Sequence, residues 1–233
     1  MKPQLLDGGV HNANLGAAAS RILQGATWKK QRVVVVLPAG PMLPTKTFFA
    51  LRNLIFPPNQ ACTWWGALGM EVGDAYSTAI EQILTTPLKD WEYVLTVEHD
   101  NVPPADGLLK LIARMEAHPE LACIGGLYWT KGEGGVPQIW GDPKDTLNFR
   151  PQLPVPGQLV ECCGTGMGFN LWRMSMFKDA RLRRPMFKTV AGKEGVGTQD
   201  LYFWGDARKY GYRCAVDCDV LVGHYDVNTD TNW

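Results

Sequence analysis

Four residues in this sequence have the types and setting to do chemistry together: Glu98, Asp100, Asp200 and His224. Glu98 and Asp100 flank His99 directly after the apolar run VLTV, Asp200 stands in TQDLYFWGDARKY, and His224 stands in VLVGHYD. Hard carboxylate oxygens with an imidazole suit Mn2+ or Mg2+, and few protein ligands are needed when phosphate oxygens and water complete the shell. An ion held that way neutralises charge on a departing diphosphate. Asp100 and His224 are the expected ligands, with Glu98 either a third ligand or an acceptor for a ribose hydroxyl. His99 is read as a spacer that points the other way and packs. Asp200, in the first turn of a helix, is the expected general base for an attacking hydroxyl. Each residue has an ordinary alternative. Asp100 could cap the helix after Pro103-Pro104, Asp200 could merely favour a helix dipole, and His224 could be structural. The constellation makes the case, not any one member.

The elements that must hold these residues alternate between strand and helix. QRVVVVLPAG reads as a strand buried on both faces. A helix with Phe48, Leu51, Leu54 and Ile55 near helical spacing follows and ends before Pro57-Pro58. ACTWWGAL reads as a second strand. AYSTAIEQILTT reads as a helix with Tyr76, Ile80, Ile83 and Leu84 on one face, capped by Asp74. A strand over residues 91–97 leads into the acidic turn. Pro103-Pro104 then opens a helix carrying Leu108, Leu109, Ile112 and Met115, and LACIGGLYW gives another strand. Residues 131–157 read as Gly- and Pro-rich loops around a short strand or two. QLVECCGTGMGFNLWRMSMF reads as strand, Gly-rich turn and helix. Thr198 is expected to cap QDLYFWGDARKY, which Gly211 closes, and YRCAVDCDVLVGHYD gives two short strands. Such alternation predicts an α/β fold with a mainly parallel, twisted sheet, which binds ligands at the carboxyl ends of its strands. Both LPAG and EHDN lie at such ends.

Bulk properties set the outer limits. The chain has 233 residues, 45% of them hydrophobic and 20% charged, with a formal net charge of zero. That length and apolar content allow one sizeable domain over residues 31–233, preceded by a weakly patterned extension over residues 1–30. Zero net charge gives no chain-wide field to attract nucleic acid, leaving only a local cluster, Arg181, Arg183 and Arg184. The longest apolar runs are too short to span a bilayer, and the start of the chain does not read as a signal peptide. A cytoplasmic protein is expected, with its six cysteines reduced and serving mainly as small core residues. Gly164-Thr165-Gly166-Met167-Gly168 lacks the residues of a Walker loop and the spacing of a Rossmann loop. Trp129, Trp140 and Trp204 could offer flat faces to a sugar or base, or pack in the core. Asp206 reads as a solvated surface charge.

The ordered set VVVVLPAG, EVGDAYSTAIEQIL, YVLTVEHDNVPP, CCGTGMGFNLWRMSMF, GTQDLYFWGDARKYGYR and VLVGHYD resembles the family 2 glycosyltransferases and their GT-A relatives. The resemblance runs from Gln31 to Asp226. It implies a GT-A fold, in which Pro38 and Ala39 contact the nucleotide base and Gly73 and Asp74 lie near base and ribose. Glu98 and Asp100 stand in for the family's Asp-x-Asp pair, Asp200 for its base, and His224 for a late metal ligand of some members. Trp129, Gly164, Thr165 and Trp204 would then lie on the acceptor side. The chain departs from the pattern at Glu98, at Gln199 before Asp200, and at Tyr76, where the family often has Arg.

The implied activity is metal-dependent, inverting sugar transfer from a nucleotide sugar, a UDP-sugar rather than a GDP-sugar, to an acceptor hydroxyl. The acceptor could be a saccharide, a small molecule, a protein or a hydroxymethylated base in DNA. Two other readings use the same residues: a nucleotidyltransferase or nucleotide-sugar hydrolase, and a non-catalytic nucleotide-sugar-binding module.

Overall fold

The computed structural model describes residues 32–58, 60–192 and 195–233, so the extension expected over residues 1–30 lies outside the described residues. Val33, Val34, Val35 and Val36 are all fully buried, which is why this unbroken apolar run is a strand with no face to water. It is β1 (Val33–Ala39), followed by α1 (Thr45–Asn53), β2 (Cys62–Leu68), α2 (Val72–Leu84), β3 (Tyr93–Val97) and β4 (Asn101–Val102). Next come α3 (Gly107–Ala117), β5 (Cys123–Leu127), β6 (Ile139–Trp140), β7 (Leu159–Cys162), β8 (Gly164–Thr165), β9 (Phe169–Arg173) and α4 (Met174–Phe177). The chain ends with β10 (Val190–Gly192), β11 (Gly195–Gly197), α5 (Gln199–Ala207), β12 (Cys214–Leu221), β13 (Gly223–Asp226) and β14 (Thr231–Asn232).

Seven strands form the central sheet in the order β2-β1-β3-β9-β5-β12-β7. β1 pairs in parallel with β2 and β3, and β5 with β12, while β9 and β7 run antiparallel to their neighbours. The sheet is therefore mainly parallel, as the alternating pattern predicts. Strand geometry splits the core in two. Val34 and Val36 join one apolar cluster with Tyr76, Ile80 and Ile83 of α2 and Phe203 and Trp204 of α5. Val33 and Val35 join the other, with Leu51 of α1 and Leu108, Leu111, Ile112 and Met115 of α3. Five of the six cysteines are buried, Cys62 being the partly exposed exception.

The structure corrects the sequence reading of these elements in four places. FNLWR is not helical but is the antiparallel strand β9, between β3 and β5, and only one turn of helix, α4, follows. Phe169 and Leu171 enter one cluster and Trp172 the other. A segment buried on both sides has no period that separates strand from helix. Helix α2 is capped by Glu71, not Asp74: the Glu71 carboxylate accepts hydrogen bonds from the Gly73 and Asp74 amides. Helix α3 starts at Gly107, a turn after the prolines, and Thr198 at the head of α5 makes no side-chain cap bond.

Candidate functional site

The acidic turn leaves the buried strand β3 and enters the two-residue strand β4, which pairs antiparallel with β13. That register sets His224 opposite Asn101, and the Tyr225 amide donates to the Asp100 carbonyl at 2.7 Å. So a short secondary sheet brings the end of the chain to the end of β3. The His224 Nδ1 lies 2.7 Å from the Trp129 carbonyl, which can only accept, so Nδ1 is the protonated nitrogen. Its Nε2 lies 3.6 Å from Asp100 Oδ2. With the proton on Nδ1, the Nε2 lone pair turns toward the carboxylate. The Tyr128 ring meets the imidazole edge-to-face at 5.5 Å and fixes its plane.

Asp100 does not cap a helix, since α3 begins seven residues later. Its Oδ2 instead accepts a hydrogen bond from Lys131 Nζ at 2.5 Å, on the same side as His224. Burial opposes ionisation of this carboxyl, but hydrogen bonds and charge from His224 and Lys131 hold it well below the usual carboxylate range. Burial, helped by the charges of Asp100 and Asp200 and opposed by Lys131, pushes the Glu98 carboxyl up to about 8. Asp200 is only 7% exposed, and burial raises its pKa against hydrogen bonds from Thr198 and the Leu201 amide. Glu98, Asp100 and Asp200 thus share one electrostatic neighbourhood, which also raises the Tyr76 and Tyr128 hydroxyls, after the larger effect of burial.

A cleft of ≈ 270 Å³ opens beside the turn, lined by Pro38, Ala39, Gly40, Gly69, Met70, Val72, Glu98, His99 and Asp100. The two strand ends expected to frame a ligand, those of β1 and β3, both line this cleft. His99 is exposed and lines this cleft, where the sequence reading had it packed away. Gly73 and Asp74 do not line it. Val72 occupies that wall, Gly73 sits tight against the Lys188 and Thr189 backbone, and Asp74 is exposed.

Among the described residues, no group of three or more His, Cys, Asp or Glu side chains is gathered to hold a metal ion. Asp100 and His224 are a pair, separated by a span that two ligands each about 2.1 Å from one ion can bridge. The Nδ1 bond to a backbone carbonyl is the usual support for an imidazole that ligates through Nε2. This donor set fits a hard divalent ion whose remaining ligands come from phosphate and water.

The acceptor-side residues separate. Trp129 is half-buried, and its carbonyl orients His224. Trp204 is wholly buried and stacks on Trp172 at 5.3 Å, so it is a core residue; Gly164 and Thr165 are buried, with Gly164 packed under the Trp204 ring. Their apolar setting explains the difference: this side of α5 faces the sheet. Asp206 is buried rather than solvated, accepting from the Arg183 amide and pairing with Arg183 and Lys209. The arginine cluster is locally spoken for. Arg181 pairs with Asp179, Arg183 lies 4.0 Å from the Tyr202 ring centre, and Arg184 donates to the Phe177 carbonyl. Lys131 is the site residue that sequence reasoning passed over, because it stands in a Gly-rich stretch read only as loop.

No protein-family model and no curated protein matches the chain. Among solved structures it is similar to A197 from STIV, with a TM-score of 0.60 and 16% identity over 84% of this chain and 86% of that one. It is also similar to S. aureus TarS 1-349 in complex with UDP-GlcNAc, with a TM-score of 0.51 and 16% identity over 82% of this chain. The fold is GT-A. The match covers 57% of the TarS chain, so this GT-A chain spans less than two thirds of that relative. No helix among the described residues of the GT-A chain is long and apolar enough to cross a membrane.

Proposed function

We propose that residues 31–233 form the catalytic domain of an inverting glycosyltransferase, which moves a sugar from a UDP-sugar to an acceptor hydroxyl with a divalent cation. The observation that carries this reading is the Asp100–His224 pair beside the cleft at the carboxyl ends of β1 and β3, with Asp200 in the same electrostatic neighbourhood. The similarity to a structure solved with UDP-GlcNAc supports a UDP-sugar as donor.

Asp100 and His224 would hold Mn2+ or Mg2+, which when bound supplies positive charge to the diphosphate as it leaves. The Trp129 carbonyl keeps Nε2 of His224 turned toward Asp100. Glu98, whose carboxyl is pushed up to about 8, carries a proton at neutral pH and can both donate to and accept from a ribose hydroxyl. Pro38 and Ala39 form the cleft wall where the base would rest. Asp200 accepts the proton of the attacking acceptor hydroxyl; its burial raises its affinity for that proton, which suits a base working near neutral pH.

A thermal-shift screen of nucleotide sugars with and without Mn2+ tests the reading, because ligand bound only by the folded state raises Tm. A UDP-sugar that stabilises only with the ion, followed by sugar transfer to an acceptor library with UDP release, is the expected result. Free sugar or pyrophosphate-linked products without acceptor would favour a hydrolase or nucleotidyltransferase, and binding without any turnover would favour a binding module. No stabilisation by any nucleotide sugar would overturn the proposal.

A further inference from the structure

We infer that Lys131 is the donor site's own counter-cation, which exchanges with a divalent ion at Asp100 and makes tight uptake of that ion conditional on a diphosphate. The inference rests on the functional reading above and adds a residue and a coupling to it.

The geometry comes first. Lys131 Nζ contacts Asp100 Oδ2, the oxygen that also faces His224 Nε2. An ion held between Asp100 and His224 needs the oxygen that the ammonium occupies. Two cations cannot share it at contact distance without strong repulsion, so one displaces the other.

The loop is built for such an exchange. Its base is clamped: the Thr130 amide donates to the Val136 carbonyl and the Val136 amide to Thr130 Oγ1, both at 2.9 Å, and Trp129 bridges to Pro137. The tip is open. Gly132 and Gly134 adopt positive φ of 98° and 80°, and nothing lies within 4 Å of where their Cβ atoms would be. A Lys on a fixed base with four flexible methylenes can leave Asp100 without moving the Trp129 carbonyl that anchors His224. Its side chain is 32% exposed, so it has a path into water.

The surroundings decide where it goes. Glu98, Asp100 and Asp226 all feel the Lys131 charge, so the ammonium is the local balance for an acidic pocket mouth. Displaced by a divalent ion alone, it would be left near a second positive charge. With a diphosphate in the cleft, it gains a new anionic partner and the repulsion is offset. Ion and diphosphate therefore bind with positive coupling, and linkage makes that coupling equal in both directions.

The test compares wild type, Lys131→Met and Lys131→Arg by calorimetry, titrating Mn2+ into nucleotide-free protein and then into protein saturated with UDP. The expected result is that Lys131→Met binds Mn2+ alone about tenfold more tightly than wild type, equivalent to ~1.4 kcal/mol. The gain in Mn2+ affinity on adding UDP shrinks by a similar factor, while Lys131→Arg stays close to wild type. Equal or weaker Mn2+ binding by nucleotide-free Lys131→Met, or no Mn2+ binding by either protein, would overturn the inference. Failure of the functional reading looks different: wild type would bind no UDP at any Mn2+ concentration, whereas the nucleotide-free comparison needs no nucleotide.

Discussion

Replacing Glu98 with Gln removes one titration while keeping the shape of the side chain, and its effect on stability has a definite sign. The Glu98 carboxyl is pushed up to about 8, first by burial and then by Asp100 and Asp200. In an unfolded chain a Glu titrates near about 4.3. Between roughly pH 4.5 and 8 the folded protein keeps a proton that the unfolded chain has released. Stability from this group is therefore full on the acid side of that window and is lost as pH rises through it. Each tenfold difference in proton affinity is worth about 1.4 kcal/mol, which sets a ceiling of about 5 kcal/mol. Glu98 is only partly buried at the cleft edge, so solvent screening reduces the expected effect to about 1–2 kcal/mol. For a chain of this length that corresponds to a Tm difference of about 3–6 °C. Asp100, with its depressed carboxyl, changes stability only below about pH 4 and does not interfere. Urea unfolding of wild type and Glu98→Gln at pH 5, 6, 7 and 8, with chelator present, measures the difference. Wild type should lose about 1–2 kcal/mol more than the variant across that range. Parallel profiles would refute the idea that Glu98 is held neutral by its surroundings.

Three further substitutions probe other parts of the account. Asp200→Asn should leave UDP affinity within about twofold of wild type and lower kcat by a factor of about 10²–10⁴, read by paired calorimetry and UDP-release assays. Trp204→Ala removes a wholly buried ring stacked on Trp172 and should cost about 3–5 kcal/mol in chemical denaturation. A change confined to acceptor KM would instead put Trp204 back in the cleft. Glu71→Ala removes the cap of α2 and should lower stability by about 1 kcal/mol, where Asp74→Ala should not.

The parts of the fold that were legible in the sequence are those with an unambiguous pattern. β1 and β3 are short, buried, mostly apolar and followed by polar or Pro-Gly breaks, so their type and their cleft-facing ends could both be read. Helices α2 and α3 show their buried faces at helical spacing. β9 was lost because Asn170 and Arg173 break the apolar run that marks β1, while Gly168 before it and a true helical turn after it tilt the local pattern toward helix. Caps are decided by which side chain reaches an amide, and Glu71 and Asp74 are equally acidic on paper. In the site, Glu98 and Asp100 drew attention because acids directly after a buried strand are unusual, whereas His224 stood out only as part of the constellation and through the resemblance of VLVGHYD to a late family motif. The register of β4 with β13 that brings His224 to Asp100 was not, since two-residue strands leave no periodic trace. Lys131 was invisible because its role depends on a loop closing over a residue 31 positions away.

The most direct measurement of the central claim is calorimetric titration of UDP into wild type and Asp100→Asn, each with Mn2+ in excess. Asp100→Asn keeps the size of the side chain but removes the charge that both His224 and Lys131 face. The account predicts saturable, ion-dependent UDP binding by wild type and loss of that ion dependence in Asp100→Asn, with both proteins folded by far-UV circular dichroism. Equal Mn2+-dependent UDP binding by the two proteins would contradict it.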